Sequence, residues 1–130
     1  MPAALYLSAR QVIRLHDYQI EAYGGVPGLR DEGLLLSALA QPGLEVFGEP
    51  AHPALSDKAA AYLFHLVKNH AFHDANKRTA LHTALVFLHL NGQGLRVSDD
   101  DLFALVLACA TNAVDKAALG ETLAAWMEPR

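Results

Sequence analysis

Positions 70–78 read HAFHDANKR, so two imidazoles, a carboxylate, an amide, an ammonium and a guanidinium fall within nine residues between two apolar runs. The apolar run before it ends as a helix near Asn69 or His70, and the next helix begins near Asn76. A loop that feeds a helix start leaves backbone N–H groups unpaired at the positive end of the helix dipole, which makes a ready anion site. Asn76, Lys77 and Arg78 add amide, ammonium and guanidinium donors there, a set that suits phosphate. Asp74 opposes an anion unless a divalent cation is shared, and Mg²⁺ is commonly held by one or two carboxylates together with phosphate oxygens. His70 has the side chain whose ordinary pKa, about 6.5, lets it take a proton near neutrality and act as a general base on a hydroxyl. A plainer reading stands beside this one, in which Asp74 or Asn76 caps a helix and the two cations lie in a solvated first turn. Cations at that place oppose the dipole, so a purely structural cap would favour acids instead.

The elements that must position these residues are helical. Ser8 followed by Gln11 has the spacing of a capping box ahead of an amphipathic stretch that includes Val12, Leu15, His16, Gln19 and Tyr23, and Gly24 with Gly25 ends it. Asp31 caps a short second helix carrying Leu34, Leu35, Ala38 and Leu39, which Pro42 and Gly43 close. Residues 43–55, rich in Gly and Pro around LEVF, predict a surface loop or strand-like flap. Ser56 is expected to cap a helix with Ala60, Leu63, Phe64 and Val67 on one face. The run TALHTALVFLHL is apolar nearly all round and is expected at the centre of the bundle. Leu95 and Val97 suggest a short extended link, Ser98 with Asp101 repeats the capping spacing, and a last helix is predicted from about Lys116 to Met127. The expected class is all-α, a single domain over residues 1–130 of about six helices.

Composition narrows the function classes. Hydrophobic residues form 52% of the 130 residues and charged ones 18%, a balance that favours a packed globule over disorder. The formal net charge of −4 argues against direct nucleic-acid binding through a broad basic face, and any phosphate site must be local. The lone Cys109 sits in an apolar run and reads as a buried thiol, consistent with a reducing cytoplasm. Neither a signal peptide nor a run long enough to cross a membrane is expected from this sequence.

The run from His70 to Arg78 resembles the signature of the Fic/Doc superfamily, and its Asp-Ala-Asn-Lys-Arg form is similar to the Doc (death-on-curing) toxin branch. The stretch LHDYQIEAYGGVPGLRDEGLLLSALAQP and the terminal LAAWM are similar to that branch as well. The resemblance implies His70 as general base, Asp74 as the Mg²⁺ ligand, Asn76, Lys77 and Arg78 as ligands of a nucleotide's phosphates, and Phe72 as a packing anchor. Most Fic proteins transfer AMP and carry glycine at the place of Lys77. The lysine of the Doc branch goes with an inverted ATP whose γ-phosphate is presented to a hydroxyl. The implied activity is a protein kinase acting on a threonine of translation elongation factor Tu, which would halt translation. The flap is expected to offer LEVF as an edge to an extended target segment. The Fic inhibitory pattern is not matched, since Gly28 stands where Ser or Thr should precede Glu32 and Gly33; regulation is then expected from a Phd-like antitoxin.

Three other readings are kept: an AMP transferase, a non-catalytic binding module, and an HD-type metal phosphohydrolase. The last would draw on His73 and Asp74 with His16 or His65 and one of Asp99, Asp100 and Asp101, and would leave Asn76, Lys77 and Arg78 without a role.

Overall fold

The computed structural model describes residues 3–130. Among these residues, six helices run in the order α1 (Ala9–Tyr23), α2 (Glu32–Ala40), α3 (Leu55–Asn69), α4 (Asn76–Leu90), α5 (Asp99–Ala110) and α6 (Lys116–Trp126). Four short strands accompany them: β1 (Glu45–Val46), β2 (Glu49–Pro50), β3 (Gln93–Leu95) and β4 (Met127–Pro129). The all-α class holds, and local capping explains four helix starts, that of α6 through the Asp115 carboxylate, which accepts the Ala118 N–H. Ser8 and Gln11 exchange bonds in a capping box, the Asp31 carboxylate accepts the Leu34 N–H, and Ser98 accepts the Asp101 N–H.

The centre of the bundle is α3, not α4. Ala59, Ala60, Ala61, Tyr62 and Leu63 are all buried, and α3 packs against α2, α4, α5 and α6. The three alanines explain the placement, because small side chains let neighbours approach α3 from every side. α4 keeps a buried stripe of Thr79, Ala80, Thr83, Ala84, Phe87 and Leu88 and leaves Leu90 exposed. Ser56 is not the cap of α3. It is buried inside the first turn, Ala54 holds the cap position, and the Ala54 N–H donates to the Asp57 carboxylate at 3.2 Å.

The flap region is a hairpin in which β1 and β2 pair antiparallel, Val46 opposite Glu49. Its turn residues Phe47 and Gly48 have φ of 51° and 79°, the positive pair that a tight two-residue hairpin turn requires. The hairpin precedes α3 in the chain and His70 follows it, so that helix, about 22 Å long, lies between them in sequence. At the carboxyl end, α6 stops at Trp126, and residues 127–129 turn into β4, which pairs with β3. No helix among the described residues is long and apolar enough to cross a membrane.

Candidate active site

The chemistry-bearing run forms a loop between α3 and α4. His70 ends α3 in the left-handed conformation (φ 49°), and Ala75 precedes α4 in the same region (φ 61°). Each such residue without glycine's freedom costs of the order of 1–3 kcal/mol, so surrounding bonds must hold the loop. They come from the α1–α2 connection. Arg30 and Asp31 donate their N–H groups to the Ala71 carbonyl, the His73 N–H donates to the Gly28 carbonyl, and Arg30 Nε donates to the His70 carbonyl at 2.8 Å. Leu29 and Phe72 face each other in an antiparallel bridge. The VPGLRD segment, readable only as a turn from sequence, is a strap that clamps the loop. Nothing local signals this, because strap and loop are some forty residues apart in the chain.

Asn76 works on the loop from the other side. Its Oδ1 accepts the Phe72 N–H at 3.0 Å and its Nδ2 donates to the Phe72 carbonyl at 2.9 Å. Phe72 is buried, and its ring stacks on the His16 imidazole with centroids 3.9 Å apart and planes 7° from parallel. His16 is itself buried, and its Nε2 lies 2.8 Å from the Asp74 carbonyl. The sequence placed His16 on the apolar stripe of α1, with packing as its plain role or metal ligation in the phosphohydrolase reading. The structure buries it and turns its polar edge onto the loop. Gln19, also buried on α1, meets His82 Nδ1 at 2.6 Å.

The Asp74 carboxylate accepts two backbone N–H groups, Val26 on Oδ2 at 3.0 Å and Ala75 on Oδ1 at 2.8 Å. These bonds, and then the Arg78 charge, hold its carboxyl below the usual carboxylate range, so it is ionised at neutral pH. Arg78 donates to the Gln19 carbonyl at 3.3 Å and the Gly24 carbonyl at 3.1 Å, at the negative end of α1. Gly25 sits between the two charges: a Cβ there would meet Asp74 Oδ2 at 2.8 Å and Arg78 Nη2 at 3.3 Å, and its φ is 125°.

The start of α4 has no side-chain cap and no acid in its first turn, which leaves its N–H groups and dipole beside Lys77 and Arg78. Asp74 and Asn76 are therefore not the cap that the plainer reading assigned to one of them. Lys77 is exposed and, with Arg78, Leu81, Phe103, Val106 and Leu107, lines a groove of about 300 Å³ between α4 and α5. His70 is exposed at the mouth of the loop. All five candidate residues thus lie on one loop and the first turn of one helix.

One ionised carboxylate with lone pairs left on both oxygens, beside a phosphate-type cradle, suits a hard cation such as Mg²⁺ that takes its other ligands from phosphate and water. The dyad with separate His and Asp partners does not assemble. Among the described residues no three His, Cys, Asp or Glu side chains gather to hold a metal, His65 is engaged with Lys116 on α6, and Asp99, Asp100 and Asp101 lie in the first turn of α5. Glu32, in the first turn of α2, is exposed, and Arg78 is engaged by carbonyls of residues 19 and 24 rather than by it.

A strapped polar loop that opens onto an uncapped, cationic helix start within a small all-α domain defines a Fic/Doc-type architecture. The chain belongs to the Fic/DOC family, whose match spans residues 6–88. It is similar to the protein kinase doc of Escherichia phage P1, 36% identical over 119 residues, which cover 91% of this chain and 92% of the phage protein. It is also similar to the toxin Doc of Mycolicibacterium smegmatis, 51% identical over 79 residues; that match spans 61% of this chain and 61% of the mycobacterial protein.

Proposed function

We propose that this chain is a toxin that transfers the γ-phosphate of ATP to a hydroxyl, a threonine, of translation elongation factor Tu. Such a transfer would stop translation in the cytoplasm, and a Phd-like antitoxin would hold the toxin in check. The observation that carries the reading is the uncapped, acid-free start of α4 with Lys77 and Arg78 beside an ionised Asp74. The name of the phage relative, a protein kinase, supports phosphoryl transfer over AMP transfer.

In this reading His70 takes the proton of the attacking hydroxyl as its oxygen bonds to the γ-phosphorus. The bond to the β–γ bridging oxygen breaks, and ADP leaves. Asp74 would hold Mg²⁺, which when bound would neutralise charge on the phosphates. Lys77, the N–H groups of the α4 start, the second Nδ2 hydrogen of Asn76 and the three guanidinium donors of Arg78 not spent on the Gln19 and Gly24 carbonyls grip the phosphate oxygens. Phosphoryl transfer asks for positioning and charge stabilisation more than covalent help, and a clamped loop supplies the first.

The test incubates the chain with elongation factor Tu and ATP labelled at the γ- or the α-phosphate. Label retained only from the γ position is expected. Label retained only from the α position would establish AMP transfer and end the kinase reading. No transfer from either, with growth arrest persisting on expression of His70→Ala, would leave a binding module.

A further inference from the structure

An amphipathic helix normally turns apolar side chains to the core, yet two of the three buried residues of α1 are the polar His16 and Gln19. His16 is 1% exposed, and a Leu or Phe would fill its place. What those residues lack is an N–H for the Asp74 carbonyl, 2.8 Å from Nε2, which belongs to a loop with no helical ladder of its own between left-handed His70 and left-handed Ala75. We propose that His16 is a positioning residue of the site: its imidazole, stacked on Phe72 and donating from Nε2 to the Asp74 carbonyl, sets where the Asp74 carboxylate sits.

The geometry divides the work on Asp74 between two partners. Val26 and Ala75 hold the carboxylate by their N–H groups, and His16 holds the carbonyl of the same residue from the core side. A residue fixed at both ends presents its oxygens in one orientation, which a metal site requires of the groups behind its ligands. The acceptor also settles the tautomer. A carbonyl only accepts, so Nε2 carries the hydrogen, and Nδ1 faces Asp17 Oδ1 at 3.9 Å. The consequence for catalysis rests on the kinase reading; the placement of Asp74 does not.

The first measurement uses the unmodified chain. Long-range ¹⁵N–¹H correlation spectra are expected to report His16 protonated at Nε2, and a neutral ring protonated at Nδ1 alone overturns the proposal, whether or not the chain is a kinase. The second compares His16→Phe, which keeps the stack without the donor, with His16→Gln, which keeps a donor near Nε2. His16→Phe is expected to lower kcat by about 10- to 100-fold with little change in KM for ATP, and to speed amide exchange at Val26 and Ala75; His16→Gln is expected to restore most of both. Unchanged kcat and exchange in His16→Phe, or equal impairment in His16→Gln, overturns the proposal. If the unmodified chain transfers no phosphate, the function reading fails, and the tautomer and the exchange rates still decide the role of His16.

Discussion

His70 and Asp74 show what a residue type promises and what its surroundings add. His70 is exposed, and its location on a clamped loop makes it a candidate base. His70→Ala is expected to lower phosphate transfer by about 10²- to 10⁴-fold without unfolding the chain, measured by labelled-ATP transfer alongside a thermal melt. Asp74 is altered by its setting, since two backbone N–H groups and the Arg78 charge favour its ionised form. A carboxyl whose folded pKa lies below its unfolded value stabilises the fold above the unfolded pKa, and that contribution is lost as pH falls through the folded one. Protection of the Val26 amide from exchange is therefore expected to drop on acidification below the ordinary carboxylate range. In Asp74→Asn, which has no carboxylate to protonate, that drop disappears. The five candidate positions follow from residue type and spacing, and the structure gathers them on one loop and helix start. The prior engagement of Asn76 with Phe72, and of Arg78 with the end of α1, was not legible in the sequence, because both bonds end on backbone groups that carry no sequence signal.

At the scale of elements, legibility followed the range of the interaction. Caps at Ser8, Asp31 and Ser98 act over three residues and were readable. The cap position of α3 falls on Ala54, whose N–H is met by the Asp57 carboxylate, and Ser56 is buried inside the first turn. β4 was missed because its partner β3 lies some thirty residues earlier, so local pattern extended α6 in its place. The strap of residues 24–31 holds the site from outside, and Gly25 is its tightest point. Gly25→Ala would place a methyl group 2.8 Å from Asp74 Oδ2 in a conformation that side chains avoid. A loss of about 1–3 kcal/mol is expected by chemical denaturation, with transfer activity falling further than stability because Asp74 moves. Wild-type activity in Gly25→Ala would show that the strap does not fix Asp74.

For the molecule as a whole, pH should act through a second cluster, between α3 and the start of α6. His65 receives a hydrogen bond from Lys116 at 3.2 Å, and burial followed by the Lys116 charge pushes its pKa down to about 4. His52, buried nearby, is lowered by burial and by the same lysine. For such groups the unfolded chain takes up protons first, so their neutral form costs nothing above the ordinary value near 6.5 and stability falls as pH drops from there toward 4. Denaturant midpoints across that range are expected to fall for the unmodified chain and to fall less steeply for His65→Gln. By itself the sequence determined the helical class, most helix starts and the residues with chemistry to offer, because side-chain periodicity, capping and titration are properties of a few neighbouring residues. Only the tertiary structure decided that alanine-rich α3 is the core helix, that a glycine-rich turn is a strap, and that His16 faces Asp74, because each depends on which distant backbone groups are left needing a partner once the helices have packed.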